Sequence, residues 1–375
     1  MPAADAPVPA VSTAPVPRPH LGHLRRLTDD TGMIQHALGP VPNRATGYTA
    51  DDNARALLVC LEAARAGDRK AEELAETYLA FLGWALGPDG WFHNNFSYDR
   101  RPLPEEPSED CQGRCLWALA AAARYWAGTS AGRAAARFFQ RGLAAAPRLR
   151  HVRGQANLVI ALAEWLGDEA TEEASEALPE GPPRAAVEDL LRQAAGALVR
   201  AWEACRGPGW EWFEDCLTYD NALLPYALLR AARVTGDRRY REAGLATLEF
   251  LAGVTFRNGL FWAVGNKGWY PRGGQPAPFD QQPVEAGTTV LACLEAWRLT
   301  GDRQWAERAV QAGLWFTGRN ALGLSLYDPD TGGCRDGLRE RDTNPNQGAE
   351  STLAWLWAAY ALHSQALPMT QPAGR

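Results

Sequence analysis

Two segments of the chain read almost as copies of each other, TGDRRYREAGLATLEFLAG at residues 235–253 and TGDRQWAERAVQAGLWFTG at residues 300–318. Each begins with Gly-Asp, a turn and helix N-cap signal. Each then places an aromatic residue, Tyr240 or Trp305, ahead of apolar residues at helical spacing. Arg and Glu fill the opposite face. Both segments are therefore predicted to be amphipathic helices that bury one side only.

The segments that precede such turns are apolar on nearly every side. There are six of them, and they read ALLVCLEAA, CLWALAAAARYW, NLVIALAEWL, NALLPYALLRAA, GTTVLACLEAW and STLAWLWAAYAL. A helix of this kind must be buried all round. The sequence therefore predicts six inner helices, near residues 50–66, 110–127, 151–166, 216–235, 281–300 and 346–364. Amphipathic outer helices alternate with them, and weaker copies of the outer pattern begin near Asp68 and Ser130.

This alternation predicts an all-α fold, an (α/α)6 barrel of six helical hairpins. An open helical solenoid shares the alternation but has no reason to make half of its helices apolar all round. We expect one catalytic barrel domain over residues 20–366, with its first outer helix within residues 20–38. The Pro- and Ala-rich residues 1–19 and the C-terminal residues 367–375 are expected to be disordered tails. The acidic, Pro-rich residues 168–184 are expected to form a surface linker.

The amino-acid composition argues against several kinds of partner and binding site. The chain has 375 residues, 46% of them hydrophobic, and a net charge of −6, which argues against nucleic acid or an anionic membrane as a partner. Its seven Cys form no CxxC pair and no Cys–His cluster, so we expect no metal site and no cofactor, although calcium at carboxylates stays open. The N-terminus shows no signal-peptide pattern and no apolar run reaches membrane-spanning length, which predicts a cytoplasmic protein.

Polar residues crowd the loop and first turn that lead into every predicted inner helix. In an (α/α)6 barrel the inner helices all start at the same rim, so these stretches face one cavity. They read TADDNAR (49–55), SEDCQGR (108–114), RGQANL (153–158), FEDCLTYDNA (213–222), FDQQPVEAG (279–287) and NPNQGAES (344–351). Helix capping explains one such residue per helix, but not this density.

Two short motifs recur at these helix starts. Asp-Asn-Ala occurs at Asp52–Ala54 and Asp220–Ala222, in the first and fourth hairpins, which stand opposite each other in a six-fold ring. Gln-x-x-Glu occurs at Gln282–Glu285 and Gln347–Glu350 in the last two hairpins. We therefore expect carboxylates from different hairpins to converge on one pocket, namely Asp52, Asp110, Asp220, Glu285 and Glu350.

Two unusually long loops, at residues 87–110 and 256–280, frame this rim and mix aromatic residues with Gly, Asn and Arg. Aromatic faces beside amides suit a carbohydrate, whose rings have apolar C–H faces and polar hydroxyl edges. Trp212, Trp262 and Trp269 are predicted to contact sugar rings.

The stretches FHNNFSYDRRPLPEEPSEDCQGR, WFEDCLTYDNALLP, VGNKGWYPRGG with FDQQPVEA, and NQGAESTLAW resemble a bacterial helical-barrel family. Members of that family are often encoded with, or fused to, glycosyltransferases and tend to carry glycosyltransferase or glycosidase names. The resemblance covers about residues 20–365. It implies a six-hairpin glycosidase-like fold, a carbohydrate substrate such as a mannoside or glucoside, and a glycosyltransferase as a functional partner. A nucleotide-sugar domain is not visible in the sequence, so glycosyl transfer itself is not carried over.

Glycoside hydrolysis needs two carboxyl groups that flank the scissile bond, one of them protonated. Opposite hairpins supply two cross-cavity pairs, Asp110 with Glu285 and Asp52 with Asp220. We rank the first pair ahead because the long aromatic loops lead into both of its sectors. Since opposite hairpins leave room for an attacking water, inversion at the anomeric carbon is expected. The predicted substrate-binding residues are Asn53, Arg114, Trp212, Asn221, Trp262, Trp269, Gln282, Gln347 and Glu350.

Three other functions stay open. A sugar epimerase on this barrel would need His residues at the cavity, and none lies at the last three inner-helix starts. A polysaccharide lyase could use Tyr219, Tyr270 and Arg272, but would favour a basic cleft for uronates. A non-catalytic carbohydrate-binding protein needs aromatic rings and amides, but not clustered carboxylates.

Overall fold

The computed structural model describes residues 16–167 and 181–365, and these residues form twelve α-helices. The helices are α1 Gly22–Leu27, α2 Ala50–Arg65, α3 Lys70–Ala85, α4 Glu109–Tyr125, α5 Ser130–Gly142, α6 Val152–Leu166, α7 Arg184–Cys205, α8 Leu223–Thr235, α9 Arg238–Thr255, α10 Pro283–Thr300, α11 Arg303–Trp315 and α12 Ala349–His363.

The even-numbered helices form a closed inner ring. α2 packs on α4, α4 on α6, α6 on α8, α8 on α10, α10 on α12, and α12 returns to α2. Each of α3, α5, α7, α9 and α11 packs against the inner helix that precedes it, and α1 packs against α12. The predicted (α/α)6 barrel is therefore confirmed, and the open solenoid is excluded because the last inner helix contacts the first.

Burial explains which helices are inside. In α2 nearly every residue from Ala50 to Ala63 is buried, and α10 and α12 are buried on all faces as well. The outer helix α9 buries one stripe at helical spacing, made of Tyr240, Ala243, Gly244, Thr247, Leu248 and Leu251. The Gly-Asp signals act as predicted, since Asp237 accepts a hydrogen bond from the Arg239 N–H and Asp302 from the Gln304 N–H.

Two predicted helices are shorter than expected. Helix α1 ends at Leu27 and does not fill residues 20–38, because Ala37–Leu38 turns into a hairpin with Val41–Pro42. Helix α8 begins at Leu223 and not at residue 216. The reason is local, since the preceding Asp220 has a φ of 49°, which a right-handed helix does not allow.

The strands are short and all lie in the connections. Five antiparallel pairs are present in the described residues: Ala37–Leu38 with Val41–Pro42, Tyr48–Thr49 with Asn95–Phe96, Cys216–Leu217 with Tyr270–Pro271, Phe256–Arg257 with Leu260–Phe261, and Gly337–Leu338 with Thr343–Asn344. They brace the loops at the rim where the inner helices start.

Parts of three predicted segments lie outside the described residues: 1–15 of the N-terminal tail, 168–180 of the linker, and 366–375 at the C-terminus. The described end of the first tail is packed, because His363 hydrogen-bonds with the Val16 and Pro17 carbonyls. Over the described helices, no stretch is both long and apolar enough to cross a membrane.

Close contact between α4 and α6 depends on Gly113. A Cβ atom there would lie 2.5 Å from the Asn157 Cβ and 3.1 Å from the Gly154 carbonyl oxygen, so the two helices would have to separate. We expect Gly113→Ala to lower the free energy of unfolding by about 1–3 kcal/mol, as overpacking does. The matched control is Gly253→Ala on α9, where nothing lies within 4 Å. This change should be neutral or stabilise by up to about 1 kcal/mol, since Ala favours a helix. Chemical denaturation of both variants measures these two changes in the free energy of unfolding.

Candidate active site

A polar cavity of about 430 Å³ opens at the rim where the inner helices start. It is lined by the beginnings of α2, α10 and α12 and by the loops between hairpins. Its lining residues that carry functional side chains are Gln35, His36, Thr49, Asp51, Asp52, Asn94, Asn266, Asp280, Gln281, Gln282, Asp336, Arg339, Asn344, Glu350 and Ser351. This volume lies within the usual range for small-ligand pockets, roughly 300–1,000 Å³.

Asp51 is an ionised carboxylate held between two guanidinium groups. Arg55, one turn further along α2, lies 3.2 Å away, and Arg114 of α4 pairs directly with the other carboxylate oxygen. Burial alone would raise the pKa of Asp51, but the positive charges of Arg114 and Arg55 together lower it below its ordinary value. Arg114 also pairs with Asp220, so one guanidinium connects the starts of α2 and α8.

The neighbouring Asp52 has the opposite electrostatic state. It is 5% exposed, and its carboxyl accepts a hydrogen bond from the Thr49 hydroxyl at 2.7 Å. Burial, together with the charge of Asp51, raises the pKa of Asp52 to about 7. Two adjacent carboxyl groups thus have pKa values pushed apart, which is the arrangement that separates acid and base roles in enzymes.

Tyr219 connects opposite sides of the barrel mouth. Its hydroxyl donates to Glu350 at 2.6 Å and accepts from Arg55 at 2.8 Å, and Arg55 also pairs with Glu350 at 3.2 Å. The backbone carbonyl of Tyr219 accepts a hydrogen bond from Arg153 on α6. Glu350 is therefore held in place by a hydroxyl and a guanidinium, while part of its carboxylate faces the cavity.

A second, much smaller cavity of about 30 Å³ lies deeper in the barrel, beside Arg55, Arg114, Trp117 and Asp220. Asp220 is 2% exposed and lies 3.4 Å from Arg114, and its other oxygen, Oδ1, has no hydrogen-bond partner among the described residues. Burial raises the pKa of Asp220, although Arg114 and Arg55 oppose the effect.

Glu285 serves the backbone of the turn that precedes α8. Its carboxylate accepts hydrogen bonds from the Asp220 N–H, the Asn221 N–H and the Asn221 side-chain amide. Burial and the charge of Asp220 raise the pKa of Glu285 to about 8. Its occupied oxygens and its absence from the lining of both cavities argue against the predicted acid–base role.

Asp110 is half-buried at the same end of the barrel. Burial raises its pKa, and the charges of Asp51 and Asp220 add to the effect. It lines neither of the two cavities. Of the five carboxylates expected to converge, Asp52 and Glu350 face the main cavity and Asp220 faces the inner one, while Asp110 and Glu285 stand behind them.

Four of the predicted sugar-binding residues make hydrogen bonds or packing contacts within the fold. The Asn53 side chain accepts from the Met33 N–H and donates to the Thr49 carbonyl, and Asn221 bonds to Thr218 in the same way. The Gln347 side chain bonds to Asp328 and Thr331. Trp212 has no exposed surface and packs edge-on against Phe213, so it cannot stack on a sugar.

The other predicted binding residues keep some access. Gln282 and Glu350 line the main cavity, and Arg114 lines the inner one. Trp262 and Trp269 are partly exposed on the long loop before α10 but line neither cavity.

Several cavity residues were missed by sequence reasoning. Asn94 and Asn266 lie in the two long loops, whose length and composition did mark them. Asp336 and Arg339 lie in a third long connection, between α11 and α12, whose length alone could have marked it. Within the described ranges, no group of His, Cys, Asp and Glu has the arrangement of a metal site.

Known structures share this architecture across most of their length. The cellobiose 2-epimerase from Bacillus thermoamylovorans matches with a TM-score of 0.69 at 11% identity, over 92% of this chain and 96% of that chain. A D-mannose isomerase matches with a TM-score of 0.68 at 10% identity, over 91% and 94%. The GH76 α-mannanase from Bacteroides thetaiotaomicron matches with a TM-score of 0.58 at 9% identity, over 90% and 91%.

At such low identity these matches establish the fold alone, and they agree with the six-hairpin barrel implied by the sequence resemblance. No protein-family profile matches the sequence, and no curated protein is significantly similar to it.

The raised pKa of Asp52 predicts a pH dependence of stability. Because its pKa is about 7 in the folded protein and 3.8 ordinarily, the folded state binds this proton more tightly. The favourable contribution is complete below about pH 4 and is lost as pH rises through about 7. Relative to wild type, the stability of Asp52→Asn should therefore rise between about pH 4 and pH 7. Thermal melts across this range test whether the melting temperatures of the variant and the wild type change differently with pH. Asp189→Asn, at an exposed position on α7, should follow the wild type.

Proposed function

We propose that this protein is a carbohydrate-active enzyme that hydrolyses a glycosidic bond, with Asp52 as the general acid. One observation carries the proposal: a buried carboxyl group with a pKa of about 7 faces a polar cavity beside an ionised neighbour. Such a group is protonated often enough at neutral pH to donate to a leaving oxygen. The charge of Asp51 keeps the proton on Asp52 until the reaction needs it.

We assign the general base to Asp280, at the start of α10. Asp280 lines the same cavity, and no described residue donates a hydrogen bond to its carboxylate, so its lone pairs can hold a water. Its φ of 56° is a backbone conformation that occurs more often at functional sites than elsewhere. Helix α12 separates α10 from α2 in the ring, so Asp280 and Asp52 come from different hairpins and line the same cavity. This arrangement suits inversion, which needs room for the attacking water.

Neutral polar groups around the cavity are the proposed binders of sugar hydroxyls. Amides come from Asn94, Asn266, Gln282 and Asn344, and Arg339 adds donors. Their mixture of donors and acceptors matches hydroxyl groups, each of which can do both. A mannoside or glucoside substrate and a glycosyltransferase partner, both implied by the sequence resemblance, remain part of this proposal.

Epimerisation and isomerisation, the activities named for two of the structural neighbours, are the main alternatives. They would need a base that removes a proton from carbon. Among the described residues that line the main cavity the only histidine is His36, whose side chain is exposed at its edge. A lyase acting on uronates would meet the carboxylates Asp51, Asp280, Asp336 and Glu350 in the cavity, which repel an acidic sugar. A non-catalytic binding protein would need the amides of this cavity but not its clustered carboxyl groups.

The deciding experiment is a screen of defined neutral oligosaccharides, analysed by mass and by reducing-end assay. Hydrolysis adds one water per cleavage and creates a new reducing end. Epimerisation leaves the mass unchanged, and elimination by a lyase adds no water and creates an unsaturated product. Finding either of the last two would overturn the proposal, and so would binding without any turnover.

We expect Asp52→Asn and Asp280→Asn each to lower kcat by at least about 10²-fold, the usual contribution of a general acid or base. Asp110→Asn, behind the cavity, should keep most of the activity. In the wild type kcat/KM should fall above about pH 7 as Asp52 loses its proton. NMR of the first-formed product should show the inverted anomer. Retention, or full activity in Asp52→Asn, would contradict the assignment.

A further inference from the structure

We propose that the cavity is closed at one side by Tyr219 and therefore accepts only the end of a saccharide chain. This inference rests on the proposed hydrolysis and adds its mode of action: the enzyme removes terminal units and does not cut inside a chain.

The residues that line the cavity come from one half of the barrel mouth. Its lining comes from the starts of α10, α12 and α2, which are consecutive in the ring, and from loops next to them. None of its lining residues comes from the starts of α4, α6 or α8. An enzyme that cuts inside a polymer needs a groove in which the chain continues past the reacting bond on both sides. Here the lining residues come from three consecutive inner helices and adjacent loops only, so we infer that the space ends within the mouth.

The turn that precedes α8 lies in the other half of the mouth and is fixed on two sides. Arg153 on α6 fixes this turn with its whole guanidinium: it donates to the Tyr219 carbonyl, to Thr218 at 2.8 Å and to Glu214 at 2.8 Å. On the far side, Glu285 accepts the backbone N–H groups of Asp220 and Asn221. The turn is thus held from two helices at once.

Tyr219 extends from this turn across the barrel axis. Its carbonyl is bound on α6, whereas its hydroxyl reaches Glu350 on α12 and Arg55 on α2, and α6 and α12 stand opposite each other in the ring. A saccharide that continued past the cavity would have to displace this side chain and break its hydrogen bonds to two charged groups. Hydrogen bonds to charged groups contribute more than neutral ones.

The first test follows early products from a linear pentasaccharide that the wild type hydrolyses, labelled at its reducing end. The wild type should release single terminal units only, so that the labelled product is either one unit shorter or a single unit. Internal fragments among the first wild-type products would overturn the proposal while leaving hydrolysis intact.

Variants of Tyr219 and Arg153 test this role directly. Tyr219→Ala should produce internal fragments, and Tyr219→Phe, which keeps the ring but loses both hydrogen bonds, should produce fewer of them than Tyr219→Ala. Arg153→Ala loosens the turn without touching the cavity and serves if Tyr219→Ala has a lowered melting temperature or helical signal. Chain-end release that persists unchanged in both alanine variants would overturn the role of Tyr219.

A binding measurement separates the two proposals. If no oligosaccharide is hydrolysed, the proposed reaction fails, and titration calorimetry still tests the closed cavity. A saccharide with bulky cyclic acetals on the hydroxyls of both terminal units should bind at least about tenfold more weakly than the free one, since steric mismatch in a closed site costs that much or more. Equal affinity would show that the chain runs through.

Discussion

The ionic bridge between Asp51, Arg114 and Asp220 is the interaction on which the barrel mouth depends. It joins three inner helices or their leading turns, α2, α4 and α8, at a depth where all three side chains are largely shielded from water. Charges in such surroundings persist only when they are paired, and removing one partner of a buried pair typically costs about 3–5 kcal/mol. The same bridge keeps Asp51 ionised, and the charge of Asp51 helps to keep Asp52 protonated. The same contacts therefore hold the barrel mouth together and help to set the pKa values on which the proposed reaction depends.

The fold could be read from the sequence because it depends on burial, and burial leaves a periodic pattern. Helices such as α10 and α12, apolar on every face, could only belong inside a closed ring. The recurring Asp-Asn-Ala motif was harder to interpret. In both copies the Asn side chain bonds to a Thr carbonyl of the preceding turn, Thr49 or Thr218, so the repetition reflects how these helices begin. Internal repetition therefore reports a structural need as readily as a functional one.

The direction in which the pKa of each carboxyl group is shifted could not be predicted from a sequence pattern. Asp51 and Asp52 are neighbours in sequence, yet the pKa of Asp51 is lowered and that of Asp52 is raised. The difference arises because Arg114, from another helix, reaches Asp51, whereas Asp52 turns to Thr49 in a buried position. No local pattern encodes which carboxylate a distant guanidinium will meet. For the same reason Glu285 looked like an acid at the cavity and is instead a partner of backbone N–H groups.

Closure of the ring also has a consequence for how the protein is made. Helix α2 leaves the ribosome well before its inner neighbour α12, which lies almost 300 residues later, between Ala349 and His363. The apolar flank of α2 that α12 covers stays uncovered until α12 has been made. Contacts between segments so distant in sequence slow folding, and the partly folded intermediates expose apolar surface that promotes aggregation. Nascent chains that stop short of α12 would present this flank to chaperones, and C-terminal truncation would be more damaging than the loss of an equally short surface helix.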